Sequence, residues 1–290
     1  MAALRDIELK IKAIKRIQQI TRAMYMVASA KLRNTQSRME NFAPYANKFT
    51  EVLGNLSSRI DTKIHPLMVK REDVNNTEIL HFTSDRGLCG SFNMNSIQVA
   101  EKWIKEQTEA GRGYSLTVVG KKGRDYFKKR AYNIAESHVQ IYGKVDISFI
   151  NKMTYDFINR YMNGNIDELY MVYSRFISMA KQEPTLVKLI PIEPPRIEGE
   201  IDKKAMEYLC EPGAEDLLIE LLPKHISVQI LNAFLQNEVS EHAARIAAMD
   251  NATKNCKDMV DDLTLLYNKA RQSAITLELM DIVGGAAAIS

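Results

Sequence analysis

Residues 235–277 read LQNEVSEHAARIAAMDNATKNCKDMVDDLTLLYNKARQSAITL, and their repeat is the clearest indication of the architecture. Uncharged residues recur along it in alternating steps of three and four, and neither glycine nor proline interrupts it. Such a seven-residue repeat is typical of a helix in a left-handed coiled coil. Pro223 suits a first helical turn and the next glycine is Gly284, so we predict a helix over about 223–283. A single helix of this kind has no core of its own and needs a partner.

The N-terminal part of the chain carries a matching stripe of uncharged residues. The stripe runs in the same steps from Leu4 to Leu56, and the first glycine is Gly54. Pro44 removes one backbone hydrogen bond, so we expect a bend there. Because the two helices flank one domain, their domain-proximal ends lie close together. We therefore predict that they pair as a long antiparallel two-helix coiled coil.

Between the helices, strand and helix patterns alternate. The predicted strands are 77–82, 114–119, 169–176 and 185–190, and the predicted helices are 93–110, 121–130 and 146–162. This alternation indicates a small, Rossmann-like α/β domain with a mostly parallel sheet. Pro191, Pro194, Pro195 and Gly199 then mark a linker. The predicted domains are a coiled-coil helix at 1–58, the α/β domain at 75–195 and a coiled-coil helix at 210–286.

Composition excludes several classes of protein. The chain has 290 residues, 46% of them hydrophobic, with 39 basic against 36 acidic side chains, which is too balanced for general disorder. It contains no apolar run of the ~20 residues that a bilayer-spanning helix needs. Cys89, Cys210 and Cys256 are far apart, which argues against a disulfide framework and for a reducing compartment. Asp6 and Glu8 argue against an organelle transit peptide, so we expect a soluble intracellular protein.

No catalytic or cofactor motif is found in the chain. There is no P-loop, and the SDRGLCG turn at 84–90 lacks the Gly-x-Gly-x-x-Gly spacing that lets a pyrophosphate approach the backbone. We interpret this turn as a tight strand-to-helix connection, with Cys89 in a buried apolar role. The five histidines have no metal-ligand spacing. We therefore expect no active site, no cofactor and no metal.

Two other features need an explanation. The N-terminal helix is strongly basic outside its stripe, through Arg5, Lys10, Lys12, Lys15, Arg16, Arg22, Lys31, Arg33 and Arg38. This face is either solvated or binds an acidic protein or a nucleic acid. The C-terminus is apolar on more than one helical face, through Ile275, Leu277, Leu279, Met280, Ile282 and Val283. A pair of helices covers only one stripe on each helix, so we expect the remaining apolar side chains of the C-terminus to form an interface with another protein.

Three blocks of residues carry a resemblance to a known family. They are Ile20-Thr21, Ala23-Met24 and Met26-Val27-Ala28; then 84–90 with Phe92-Asn93; then Ser240-Glu241, Ala243-Ala244-Arg245 and 267–272 through Ile275-Thr276, Glu278-Leu279 and Ile282-Val283. In this order and spacing the sequence resembles the gamma subunit of the rotary F-type ATP synthase, of the bacterial type.

The resemblance implies a central rotor shaft. In that family the shaft passes through a hexamer of alpha and beta subunits, which hold the catalytic sites, and its foot binds the epsilon subunit and the membrane c-ring. Proton flow turns the ring and the shaft, and an off-axis coiled coil presents a different face to each beta subunit. The implied protein is a non-catalytic, peripheral subunit at the cytoplasmic face of the bacterial inner membrane, with no membrane span and no nucleic acid.

The resemblance also implies roles for individual residues. Contacts to the hexamer are implied for Met24, Arg271, Gln272 and Thr276, and for Leu277, Ile282 and Val283 of the apolar C-terminus. Contacts to the ring and to epsilon are implied for Tyr208, Cys210 and Glu211, with Cys210 standing where some relatives carry an aromatic residue. Two alternatives stay open: a basic coiled-coil scaffold or nucleic-acid-binding protein, and a small α/β enzyme with a ligand in the Gly87–Gly90 turn.

Overall fold

A computed structural model describes residues 2–57, 65–143, 145–193 and 213–289. Two long helices, α1 (Ala2–Ser57) and α5 (Ala214–Ile289), precede and follow a five-stranded sheet with three shorter helices. The chain divides into two compact units. The helical unit contains α1 up to Ala30 and α5 from Arg245 onward, and the α/β unit contains Lys31–Ala244. The predicted fold class is confirmed.

In the helical unit, α1 and α5 meet along the predicted stripes. Thr21 and Ala28 are buried, and the Thr21 hydroxyl lies 2.8 Å from the hydroxyl of Thr253 on α5. One position differs from the prediction, because Tyr25 is 38% exposed while the neighbouring Met24 is half-buried. An α-helix of about 3.6 residues per turn drifts against a strict seven-residue repeat, so the buried position shifts here by one residue.

In the α/β unit, the same two helices run antiparallel. The Arg38 guanidinium of α1 lies 3.8 Å from the Glu238 carboxylate of α5, and the Phe49 ring stacks on His225 with centroids 6.1 Å apart. From the first contact to the second, the residue number rises from 38 to 49 on α1 and falls from 238 to 225 on α5. The two helices are therefore antiparallel within this unit, as predicted. The helix continues through Pro44 to Ser57.

The start at about residue 223 that Pro223 predicts for α5 is wrong. The helix begins at Ala214, so Pro223 lies inside it and not in its first turn. Leu218 and Leu222 are fully buried, and this packing offsets the backbone hydrogen bond that Pro223 lacks. Two acidic residues in the first turn also favour the earlier start, because carboxylates stabilise the N-terminus of a helix.

The predicted end of α5 is also wrong, because the helix passes Gly284 and ends at Ile289. Glycine weakens a helix by about 1 kcal/mol relative to alanine, which is a cost but not a stop signal. Within the four described ranges, no helix combines the length and the apolar character that crossing a membrane requires.

The sheet contains β1 (Asn76–Phe82), β2 (Gly113–Val119), β3 (Ile134–His138), β4 (Glu168–Phe176) and β5 (Gln182–Ile190). Their order is β3-β2-β1-β4-β5, and only β5 is antiparallel to its neighbour, so the predicted mostly parallel sheet is confirmed. The sequence pattern does not predict β3. This short edge strand is largely exposed and therefore shows no apolar run.

Helices cover both faces of the sheet. On one face lie α2 (Phe92–Glu109) and α3 (Lys121–Lys129), packed around Trp103 and Phe127. On the other face lie α4 (Ile147–Met162) and the parts of α1 and α5 that belong to this unit, packed around Phe157 and Phe234. A strand covered on both faces reads as a continuous buried run, as β1 does. A short 3-10 turn, Pro66–Met68, precedes β1.

Candidate functional site

Six of the residues with implied hexamer contacts lie near the C-terminal end of α5. They are Arg271, Gln272, Thr276, Leu277, Ile282 and Val283. All six are exposed, and the Thr276 hydroxyl donates to the Gln272 backbone carbonyl at 2.9 Å, as threonines inside helices commonly do. The implied contacts to the ring and to epsilon, at Tyr208, Cys210 and Glu211, lie outside the described residues.

Met24 lies at a different level of the helical unit. The bond between Thr21 and Thr253 sets this level, and Arg271 lies roughly 27 Å further along α5 at about 1.5 Å per residue. The structure therefore does not bring Met24 together with the C-terminal residues. The predicted hexamer contacts form two separate regions, one around Met24 and one from Arg271 to Val283.

The C-terminal region is dominated by exposed apolar side chains, which we call the apolar end: Ile275, Leu277, Leu279, Met280, Ile282 and Val283. Their exposed fractions range from 48% to 68%. Consecutive residues on a helix are rotated by about 100°, so these six point in several directions. Each large apolar side chain contributes about 1.5–3 kcal/mol when it leaves water. A surface of this kind is typical of a protein–protein interface.

The outer face of α1 is apolar as well as basic, which the charge pattern alone does not reveal. On the part of α1 that belongs to the helical unit, the exposed cations are Arg5, Lys10, Lys12, Lys15, Arg16 and Arg22. Among them lie Leu9, Ile17, Ile20, Met26 and Val27, which are 50–59% exposed. The signal for these five was present in the sequence, because all are apolar residues outside the buried stripe. A mixed face of this kind suits a protein partner better than a phosphate backbone.

The turn at 84–90 is closed by its own side chains. Asn93, in the first turn of α2, accepts the backbone N–H of Ser84 at 2.9 Å and donates to the Cys89 sulfur at 3.2 Å. Cys89 is buried. Leu88 and Gly90 adopt left-handed backbone angles, with φ of 63° and 59°, as tight turns require. This geometry agrees with a strand-to-helix connection.

Three of the five histidines, His65, His81 and His225, serve packing or capping roles. Burial lowers the pKa of both His81 and His225 to about 4, because a buried ring loses the solvation of its charged form. His81 Nε2 lies 2.9 Å from the Ser96 hydroxyl, and His65 accepts the Leu67 backbone N–H at 3.2 Å. Across the part of the chain that the structure describes, no group of three His, Cys, Asp or Glu side chains is placed to hold a metal ion.

Comparison with known proteins gives full-length matches. A family model described as ATP synthase matches residues 3–289. An ATP synthase gamma chain from Syntrophobacter fumaroxidans is 48% identical over 290 residues, covering 100% of this chain and 99% of the relative. One from Nitratidesulfovibrio vulgaris, strain Miyazaki F, is 47% identical over 291 residues, with the same two shares covered.

Solved structures support the fold. A chain of the Euglena gracilis mitochondrial ATP synthase (OSCP/F1/c-ring, rotational state 3) has a TM-score of 0.67 at 21% identity, covering 99% of this chain and 95% of that chain. A chain from the rotor of the same synthase has a TM-score of 0.63 at 20% identity, covering 94% and 99%. The family model spans nearly the full chain and its relatives share almost half of their residues with it, so this chain belongs to the ATP synthase gamma-chain family.

Proposed function

We propose that this chain is the central rotor shaft of an F-type ATP synthase and couples proton-driven rotation of the membrane ring to conformational changes at the catalytic beta subunits. The observation that carries the proposal is the exposed apolar end of α5 in a chain of this family. An interface of six large apolar side chains needs an enclosing partner, and a hexamer of alpha and beta subunits supplies one.

The proposed hexamer contacts comprise two regions. The apolar end turns in an apolar sleeve. Arg271 and Gln272, about one turn before it, hydrogen-bond to loops of the hexamer, and Thr276, one turn further on, contacts the hexamer within the apolar end. The second region is Met24 with the outer face of α1, whose exposed cations and apolar side chains complement an acidic, partly apolar segment of a beta subunit. Basic residues there also favour fast assembly.

The remaining partners bind at the foot of the shaft. We assign Tyr208, Cys210 and Glu211 to contacts with the epsilon subunit and the membrane c-ring. The division into a helix at 1–58, an α/β domain at 75–195 and a helix at 210–286 belongs to the same proposal. The protein is then a peripheral subunit at the cytoplasmic face of the inner membrane.

The chain itself is non-catalytic in this proposal. ATP chemistry takes place in the beta subunits, and this chain supplies the mechanical link. The closed turn at 84–90, in which Asn93 engages both Ser84 and Cys89, supports this assignment over a nucleotide-binding enzyme.

Reconstitution of an alpha–beta hexamer with and without this chain tests the proposal. We expect the chain to form a complex and to change the cooperative ATP turnover of the hexamer. Unchanged turnover with no complex would exclude the shaft function.

Charge placement in the apolar end tests the assigned interface. Ile282→Asp places a carboxylate where the sleeve excludes water, so we expect the affinity for the hexamer to fall at least about tenfold. Ile147→Asp is the matched control, because Ile147 is 64% exposed on α4 and Ile282 is 68% exposed. The affinity is measured by titration of labelled chain with hexamer. Equal affinities of the two variants would contradict the assignment of the apolar end.

A further inference from the structure

The sheet has a crevice at the point where its strand order reverses. From β1 the chain proceeds outward to β2 and β3 on one side, while β4 and β5 lie on the other. β1 pairs with β4 as far as His81 and Val172, after which the Thr83 N–H turns away and donates to Val119 of β2 at 2.8 Å. Open α/β sheets bind their ligands outside the carboxyl ends of such diverging strands.

Side chains of α5 line the β4 side of this crevice. The Ser174 backbone N–H of β4 donates to Asn237 Oδ1 at 3.1 Å, and the Ser174 carbonyl accepts from the Ser240 hydroxyl at 2.9 Å. All three residues are at most 1% exposed. Residues three apart lie on one face of a helix, so one face of α5 satisfies the backbone groups that a continuing β1 would have paired.

The β1 side of the crevice is joined to the same asparagine. The Tyr142 hydroxyl donates to the Thr83 carbonyl at 2.6 Å and accepts from Asn237 Nδ2 at 3.0 Å. The Tyr142 ring also stacks on Phe234 of α5 with centroids 4.8 Å apart. Burial holds the pKa of the Tyr142 hydroxyl well above its usual value, so the phenol stays a neutral donor. Asn237 is thus linked to both sides of the crevice, directly to Ser174 and through the Tyr142 hydroxyl to Thr83.

We infer that α5 itself occupies the ligand crevice of this α/β fold, and that Asn237, Ser240 and Tyr142, the crevice clasp, fix the rotation of α5 about its axis relative to the sheet. The hydrophobic effect that buries α5 against the sheet is itself non-directional. Hydrogen bonds are directional and weaken steeply when they are misaligned. The clasp residues are therefore positioning residues through which the α/β unit turns the C-terminal helix. The inference rests on the proposed shaft function and names the joint that carries its torque.

The test uses the complete ATP synthase in membrane vesicles. Asn237→Leu keeps the side-chain volume but removes both the acceptor and the donor, and Tyr142→Phe removes a single oxygen. Ser227→Ala is the matched control, because the Ser227 hydroxyl donates to Thr154 of α4 at 3.1 Å from the same helix, outside the crevice. Two rates are measured: ATP hydrolysis and ATP-driven proton uptake.

If the crevice clasp transmits torque, its variants should assemble into the enzyme but couple ATP hydrolysis to proton uptake less well. We expect hydrolysis within about twofold of the unmodified enzyme in all variants, and protons taken up per ATP to fall about threefold or more in Asn237→Leu. Tyr142→Phe should give a smaller fall in the same ratio, and Ser227→Ala none. If the clasp residues served only to stabilise the fold, their variants would show less assembly and a lower melting temperature. The number of protons taken up per ATP would then be unchanged in the complexes that do assemble.

Three results would overturn the inference. One is an unchanged ratio in both clasp variants, and another is an equal fall in Ser227→Ala. If Asn237→Leu fails to assemble, Tyr142→Phe decides, and an unchanged ratio there rejects the clasp. Failure of the unmodified chain to assemble with the hexamer would instead reject the shaft function, so the two failures are distinguishable.

Discussion

At the level of single residues, burial decides the protonation of the histidines in the α/β unit. His81 and His225 are nearly inaccessible, and burial lowers the pKa of each to about 4. Burial acts in the opposite direction on Glu78 and Glu238, whose pKa values it raises. Each side chain is pushed towards its neutral form because a charge loses solvation inside the protein.

Stability should fall with acidification because of these histidines. In the unfolded chain, the pKa of a histidine side chain is about 6.5. Between pH 6.5 and 4, His81 and His225 therefore bind protons in the unfolded chain but not in the folded chain. Keeping each histidine neutral contributes fully to the free energy of unfolding above pH 6.5. Between pH 6.5 and 4 this contribution falls by about 1.4 kcal/mol per pH unit for each histidine. Urea unfolding at pH 7.5, 6 and 5 measures this dependence.

The variant His225→Phe isolates one contribution, because phenylalanine can stack on Phe49 but cannot bind a proton. We expect its unfolding midpoint to depend less steeply on pH than that of the unmodified chain. The opposite contributions of Glu78 and Glu238 are common to both proteins and cancel in the comparison. Phe49→Leu is the control, because it disturbs the same stack and leaves His225 in place. Parallel curves for His225→Phe and the unmodified chain would contradict the prediction.

At the level of secondary-structure elements, an ion pair joins α4 to the sheet. One terminal nitrogen of Arg160 lies 2.8 and 3.0 Å from the two carboxylate oxygens of Glu78 on β1. The Thr117 hydroxyl of β2 donates to the same carboxylate at 2.7 Å. Glu78 is 1% exposed, so its charge depends on these partners.

Removing the cation should therefore cost much more than removing an exposed one. Arg160→Ala leaves the Glu78 carboxylate buried without its cation, so we expect a loss of about 3–5 kcal/mol in the free energy of unfolding. Arg175→Ala breaks an exposed pair with Glu183, 3.1 Å apart between β4 and β5, and should cost less than about 1 kcal/mol. Urea denaturation of both variants measures the difference, and similar losses would show that the Glu78 pair has no special weight.

Across the full chain, buried and exposed apolar surface serve different purposes. The α/β unit buries two clusters of large apolar residues, one on each face of the sheet. In the helical unit, by contrast, the apolar end of α5 and five apolar residues on the outer face of α1 are exposed. This surface is available to partners and is a liability in the isolated chain.

Truncation after Ala274 should remove a large part of that liability, although the apolar residues on the outer face of α1 and Met259, Leu265 and Leu266 on α5 remain exposed. The deletion takes away all six residues of the apolar end, while the last buried contacts of α5 with α1 lie before it. We expect the fluorescence of a hydrophobic dye bound to the isolated chain to fall by roughly a third. Circular dichroism checks that the remaining helix is intact, and Ile147→Asp serves as the control. Unchanged dye binding would place the accessible apolar surface elsewhere.

Much of the architecture is predictable because it depends on local patterns. The stripe of α5 from Leu235 to Ala274 is buried or half-buried at every predicted position, and only its last member, Leu277, is exposed. The strands of the sheet are predicted to within a few residues except β3, which has no buried run to detect. The exposed apolar end is confirmed as well, because a two-helix pair covers one stripe only.

Periodicity along the chain determined the two long helices, the strand–helix alternation and the surplus apolar surface, because each depends on neighbours a few residues apart. Three-dimensional packing decided where α5 begins, since buried Leu218 and Leu222 outweigh Pro223. It also decided the crevice clasp, in which Asn237 and Ser240 meet Ser174 across separations of 63 and 66 residues. No local pattern specifies such a contact, because it exists only once the helix has packed against the diverging ends of β1 and β4.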